Sequence, residues 1–459
     1  MEKYKLIIIG GDAAGMTAAS KIRRENKNCE IIVFEKSEYV SYSACGIPYF
    51  ISGKVASHEE LIVRTPEEFI KKHKIDTRIL HEVIEVDTDN NQVLVHKSDD
   101  KTQFWESYDK LLIATGGKAF CPDVENRDAD GIFGVSTLRS GIKVDNFIKN
   151  KKPKNAVIVG GGYIGLEMAE ALLIKGLNVS LINRSEEIMN TLDPDMGALV
   201  NNAMTNLGVK IYAKEALQKF EADKNGVTSV VTDKQTLKAD LVILGMGTAP
   251  NTAFLKKSKI KLNEKGAVVV AKTQRTNIRN VWAAGDCATT THLVTNKPFY
   301  IAMGTVANKT GLVAGKNIEG GKAVFPGVVG TAVCKICVYE VARTGMLEKQ
   351  LRALNIDYVQ TMIKTKSRAG YYPDSKDIYV KLIAEKRTGR LLGGQIIGEE
   401  GAAKRIDVLA TALTCKLTLR NIIDLDLSYA PPFSPVWDPV QTAARKLITL
   451  LKKYWFSNT

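Results

Sequence analysis

One plan written twice constrains this chain more than any other feature: an apolar strand, a glycine-rich turn, an amphipathic helix and a second apolar strand, repeated about 150 residues apart. The first copy reads KLIIIGGDAAGMTAASKIRR and then EIIVFEK; the second reads NAVIVGGGYIGLEMAEALLIKG and then NVSLINR. Each is a βαβ unit, so each predicts a parallel sheet with helices on its faces. A lysine-rich stretch containing a proline, Lys149 to Asn155, precedes the second copy and has the texture of a boundary. From about Gly330 the pattern changes to strands separated by turns, TAVCKICVYEVA and DIYVKLIAEKRTGRLLGGQIIG, followed by helices from about Ala402. The RTGR turn between two alternating runs predicts a hairpin. The fold class is therefore α/β, with two Rossmann-like dinucleotide-binding domains and a C-terminal α+β domain.

At 459 residues the chain is long enough for two to four domains. Its 45% hydrophobic and 25% charged residues exclude a fibrous or largely disordered protein. The start, MEKYKLIIIGG, has too short an apolar run for a signal peptide or a spanning helix, which leads to the expectation of a cytoplasmic protein with no membrane partner. Seven irregularly spaced cysteines then read as reduced thiols. The formal charge of +14 raises nucleic acid as a partner, but the lysines are scattered and no nucleic-acid-binding pattern occurs. A basic surface equally suits small molecules that carry several phosphates.

A strand that ends in glycines and opens a helix points backbone N–H groups and the positive helix end at a pyrophosphate. Gly160, Gly162 and Gly165 complete G-x-G-x-x-G in that context. In the first copy Gly10 and Gly15 fit, but Asp12 occupies the middle position; its carboxylate would repel a pyrophosphate, so it must turn away or the site must differ. An acid after the second strand normally holds ribose hydroxyls. Glu35 supplies it in the first copy, whereas the second offers Asn183 and Arg184, an arrangement that favours a 2′-phosphate and hence NADPH over NADH. The bland reading of Arg184 is a solvated surface residue.

Two chemically different dinucleotides on one chain imply an electron relay. Further along, LLIATGG, LVILGMGTAPN and NVWAAGDCA follow in order. Gly285 and Asp286 of the last resemble the second flavin contact of two-dinucleotide flavoprotein reductases, where the aspartate binds the ribityl hydroxyls. That resemblance covers residues 1–330 and implies FAD, with Lys36, Thr115 and Gly116 added to its contacts. It implies a discontinuous FAD domain, 1–112 and 270–330, an NAD(P)H domain at 113–269, and a dimerisation domain at 331–459.

Cys45 lies in SYSACGIPYF, about ten residues past Glu35. In the resembled superfamily that position begins a helix against the flavin, where helix dipole and oxidised ring both favour a thiolate. Classical disulfide reductases of the group carry a second cysteine five residues on; here that residue is Phe50. A lone thiol cycles only with an outside partner, as mixed disulfide, persulfide or sulfenic acid. Of the other cysteines, Cys334 and Cys337 form C-x-x-C in a run that reads as one strand, which places them on opposite faces and argues against a redox or metal pair.

Glutathione-type and lipoamide-type reductases end in a histidine and a glutamate, yet no histidine follows residue 292 here. SYAPPFSPVWDP, with the single-cysteine CGIPY motif, resembles instead the coenzyme A disulfide reductase family, which includes NADH oxidases and CoA-linked persulfide or polysulfide reductases. The resemblance spans almost the whole chain. It implies hydride transfer from NAD(P)H to FAD, then reduction of CoA disulfide or a CoA-linked persulfide through Cys45, with CoA at times bound to that cysteine. It also implies a homodimer in which Tyr429 and one of Tyr371 and Tyr372 reach the partner's cysteine, and CoA contacts from Lys21, Arg24, Ser41 and Ser43. Ala44 departs from the asparagine that some members carry. The alternatives are an oxidase that reduces oxygen through a Cys45 sulfenic acid and a CoA-binding redox sensor with incidental turnover.

Overall fold

The computed structural model describes residues 3–456 of the chain. In the first unit β1 (Lys5–Ile9), α1 (Ala13–Glu25) and β2 (Glu30–Phe34) follow in sequence, and α2 (Ile47–Ser52) comes next after an irregular segment. The sheet order is Val281–Ala283, Lys110–Ile113, β1, β2 and Asp76–Arg78, every pair parallel. Four of the five β1 residues are buried, as expected of a parallel strand with helices on both faces. The second unit repeats this with β3 (Asn155–Val159), α3 (Tyr163–Ile174) and β4 (Asn178–Asn183). Its parallel order is Lys210–Ala213, β4, β3, Leu241–Leu244 and Ile132–Gly134.

That second sheet corrects one expectation. Lys149–Asn155 is not a boundary: it links the helix Leu138–Lys151 to β3, and Ile132–Gly134 upstream already belongs to the same sheet. The stretch looked like a linker because it is rich in lysine and contains Pro153; in the fold Lys152, at φ +49°, ends that helix. In the helix Gly304–Ile318, labelled α4, Gly311 lies so close to α1 that a Cβ there would fall 2.4 Å from the Ala14 carbonyl oxygen.

The C-terminal sheet is antiparallel, in the order β5 (Ala332–Ile336), β6 (Tyr339–Gly345), Leu391–Gly398, Asp377–Glu385 and Tyr358–Lys366. The RTGR segment is the hairpin turn, with Gly389 at φ +71°. Leu391–Gly398 does not alternate, however; all eight residues are buried, because the helix Ala402–Thr414 and the second domain's helix Pro194–Asn206 both pack against the strand. TAVCKICVYEVA is likewise two strands and not one: Cys337, at φ +57°, sits in the turn between β5 and β6. No helix among the described residues is long and apolar enough to cross a membrane.

Candidate active site

Both glycine-rich turns are built on the same close approach. Gly10 and Gly160 end their strands at φ +108° and +100°, and a Cβ on Gly15 or Gly165 would fall 2.0 or 2.2 Å from the carbonyl oxygen of Gly10 or Gly160. Only glycine lets each helix start so near its strand. The residue after the second strand closes each turn in the same way. Glu35 Oε2 accepts from Gly11 N at 2.9 Å, and Asn183 Oδ1 accepts from Gly161 N at 3.4 Å. Glu35 is further fixed by Ser37, whose N and Oγ both donate to Oε1 at 2.8 Å. Asp12 turns away from the anion position: its Oδ1 accepts from Tyr42 N at 3.2 Å, and burial pushes its carboxyl up to about 6 against that hydrogen bond.

A cavity of about 1980 Å³ joins the two turns. Of the residues expected at the site, Arg24, Ser41, Ser43, Cys45, Gly116, Gly160, Gly162, Asn183, Arg184, Gly285 and Asp286 line it. Asp286 is anchored there by Met303 N at 3.0 Å, and burial raises its carboxyl. Glu35, Gly10, Gly15 and Gly165 stand behind the wall as its framework, with Thr115, whose Oγ1 donates to Asn251 O at 2.7 Å. Lys36 is exposed. Lys21 is not on the wall; it pairs with Glu25 along α1. Ser41, at φ +49°, holds a left-handed backbone that serine rarely adopts, and its amide donates to Gly11 O at 2.9 Å.

Cys45 lies in a single turn, Ala44–Gly46, directly before α2. The expectation of a thiolate rests on the helix dipole and the oxidised flavin ring; the burial of Cys45 and the carboxylates around it act the other way. Burial raises the thiol, and Glu167, Asp286 and Asp12 raise it further by their charge. Glu167 escaped notice in the sequence because GLEMAEAL reads as an ordinary amphipathic helix. In the fold it lines the same cavity, and burial, then Glu170, pushes it up to about 7.

The other six cysteines carry free thiols. Cys287 donates to Ile113 O at 3.4 Å and is buried, which pushes it up to about 11. Tyr371, Tyr372 and Tyr429 do not line the cavity of their own chain. Tyr371 is 78% and Tyr429 46% exposed, and the neighbouring Tyr371 raises the Tyr429 phenol. Tyr372 instead lies under the Arg368 guanidinium, 5.7 Å from ring centre to Cζ.

Comparison with known proteins is consistent over the full length. Residues 4–307 match the profile "Pyridine nucleotide-disulphide oxidoreductase", and residues 331–439 match the dimerisation domain of the same family. An NAD(P)H sulfur oxidoreductase (CoA-dependent) of Pyrococcus furiosus is 38% identical over 97% of this chain and 100% of its own. A coenzyme A disulfide reductase of Staphylococcus epidermidis is 33% identical over 94% and 96%. The structure of an NAD-dependent persulfide reductase from A. fulgidus superposes with a TM-score of 0.94 at 35% identity, covering 98% of this chain and 84% of that one. With two profiles spanning both halves and full-length identity of this order, the chain belongs to the pyridine nucleotide-disulphide oxidoreductases.

Proposed function

We propose that this protein passes electrons from NAD(P)H through FAD to CoA disulfide or a CoA-linked persulfide or polysulfide, with Cys45 as the redox-active thiol. The observation that carries the reading is the placement of Cys45 in the cavity that both glycine-rich turns line, with Phe50 where an internal disulfide partner would stand. The names of the full-length relatives point the same way.

The residues present fit both nucleotides. The first turn, with Gly10, Gly15, Glu35, Lys36, Thr115 and Gly116, and the Gly285–Asp286 pair suit FAD; Gly160, Gly162, Gly165, Asn183 and Arg184 suit NAD(P)H. A Cβ at Gly10 would fall 2.2 Å from the Ala114 carbonyl oxygen, so the turn is cut close to the backbone it must share with a pyrophosphate. Bound FAD supplies a two-electron relay between hydride donor and sulfur acceptor. The chain's own part is to hold the acceptor. Arg24, Ser41 and Ser43 line the route to Cys45 and offer a guanidinium and hydroxyls to the phosphates of CoA. Cys45 attacks the nearer sulfur, CoA thiolate leaves, and a Cys45–S–S–CoA disulfide remains. Two electrons delivered into that bond release the second CoA thiolate and restore Cys45.

The dimerisation domain supports a two-fold homodimer, and the exposed Tyr371, Tyr429, Phe433 and Val436 form a suitable face. In it Tyr429 of the partner subunit, steadied by Tyr371, orients the sulfur bonded to Cys45. A cytoplasmic setting, where thiols stay reduced, belongs to the same reading. The test is stopped-flow flavin reoxidation with CoA disulfide, CoA persulfide and oxygen in parallel. In Cys45→Ser, NADPH should still bleach the flavin while sulfur-dependent reoxidation collapses; wild-type rates in the mutant sink the proposal, and reoxidation by oxygen alone in the wild type replaces it with an oxidase.

A further inference from the structure

Ten buried side-chain polar atoms find no partner among the described residues, and Arg343 Nε, Tyr163 OH and Thr191 Oγ1 are three of them. All three residues line the cavity. Tyr163 opens α3 directly after the glycine-rich turn, and its hydroxyl neighbours that of Thr191 without a well-formed bond between them. Arg343 belongs to β6 of the third domain, opposite Ala332 and Gln395. The guanidinium makes one hydrogen bond, from Nη2 to Gly345 O at 2.7 Å.

A buried guanidinium is ordinarily paired with a carboxylate. This one is not. Asp193, the carboxylate whose charge it feels, is already engaged by Gln395 Nε2 at 2.6 Å, Glu348 N at 3.0 Å and Lys381 Nζ at 3.3 Å. Burial accordingly pulls Arg343 below the usual guanidinium range. Lys349, a second cation nearby, is lowered by burial, with the Asp193 carboxylate opposing that shift and the charge of Arg343 adding to it.

A dinucleotide with its pyrophosphate on Gly160–Gly165 and its adenosine on Asn183 and Arg184 must send its other half away from Arg184 and past Tyr163. That half offers acceptors in its carboxamide and ribose oxygens. Its ring is neutral when reduced and carries a positive charge once it has given up a hydride, which is two electrons and a proton, to the flavin. We infer that Arg343, with Tyr163 and Thr191, receives the nicotinamide half of NAD(P)H and makes the groove hold the reduced form more tightly than the oxidised one. Hydride loss then creates a cation beside a guanidinium that makes no ion pair with a carboxylate, and the product is repelled. The third domain thereby contributes a selectivity-setting charge to a groove that the second domain builds.

The inference rests on assigning the Gly160 turn to the pyridine nucleotide, and the test separates the two. Oxidised holoenzyme is titrated with NADP⁺ and with the redox-inert analogue whose ring is 1,4,5,6-tetrahydronicotinamide and neutral, and each Kd is read from calorimetry. Arg343→Met should weaken the neutral analogue, leave NADP⁺ unchanged or tighter, and shrink the ratio of the two constants at least tenfold, about 1.4 kcal/mol. Thr191→Val should weaken the analogue severalfold, and Arg343→Lys, which keeps the charge, should keep most of the ratio. Equal changes for both ligands in Arg343→Met, with an unchanged melting temperature, overturn the inference. If Arg343→Met does not fold, a wild-type Kd for the analogue in Thr191→Val overturns it instead. Arg184→Ala should weaken both ligands alike; if it alters neither, the groove assignment has failed and not the role of Arg343.

Discussion

Glu167 adds to burial in raising the thiol of Cys45. Its carboxyl, pushed up to about 7 by burial and Glu170, is uncharged in mildly acidic solution and charged above neutrality, where it in turn raises the thiol of Cys45. Glu167→Gln should therefore move the alkylation of Cys45 by iodoacetamide to lower pH, measured in a Cys121→Ser, Cys415→Ser background because both of those thiols are exposed. Stability gives an independent reading. A carboxyl raised in the folded state stabilises most fully below its unfolded value, near 4.3, and that contribution disappears as pH rises through about 7. The wild-type melting temperature should fall between pH 5 and pH 8 by more than that of Glu167→Gln, and parallel curves for the two proteins would exclude the assignment. Cys45, Glu35 and Asn183 were each visible in the sequence because a motif fixes their place. Glu167, Arg343 and Thr191 were not, since nothing in one dimension says which face of a helix or strand will meet a cavity.

At the scale of elements, the two βαβ units were legible because glycine spacing and apolar strands coincide, and the structure places them where the pattern does. The third domain was legible in kind but not in detail. Cys337 looked like part of a strand because its neighbours are apolar, and only the left-handed turn at that residue divides the run. Leu391–Gly398 misled in a related way, as burial on both sides comes from a distant segment. That segment meets the third domain through Lys381, 1% exposed, whose Nζ lies 3.3 Å from Asp193, 2.7 Å from Asp195 and 2.6 Å from Glu348. Lys381→Met should cost about 3–5 kcal/mol in denaturant unfolding at pH 7, because it leaves the buried Asp193 carboxylate without its cation. The loss should lessen as pH falls, when the abandoned carboxyls take up protons. A loss below about 1 kcal/mol at pH 7 would mean that Asp193 is compensated by its hydrogen bonds alone.

For the whole molecule, the proposed two-fold assembly predicts complementation. Cys45→Ser and Tyr429→Phe subunits, each nearly inactive alone, should regain activity towards half of wild type per dimer when mixed, since one of the two shared sites is then intact. If each chain builds its own site, mixing restores nothing. The cluster at Lys381 bears on the timing of turnover. Swinging the second domain away from the third would separate Lys381 from Asp193 and Asp195 and break both hydrogen bonds between Asp193 and Gln395. Opening of that kind would break all of these buried contacts in every cycle, so we expect the nucleotide to exchange without it, through side-chain movements at the mouth of the cavity. Its arrival should then be limited by diffusion and charge, and should slow smoothly with solvent viscosity and added salt.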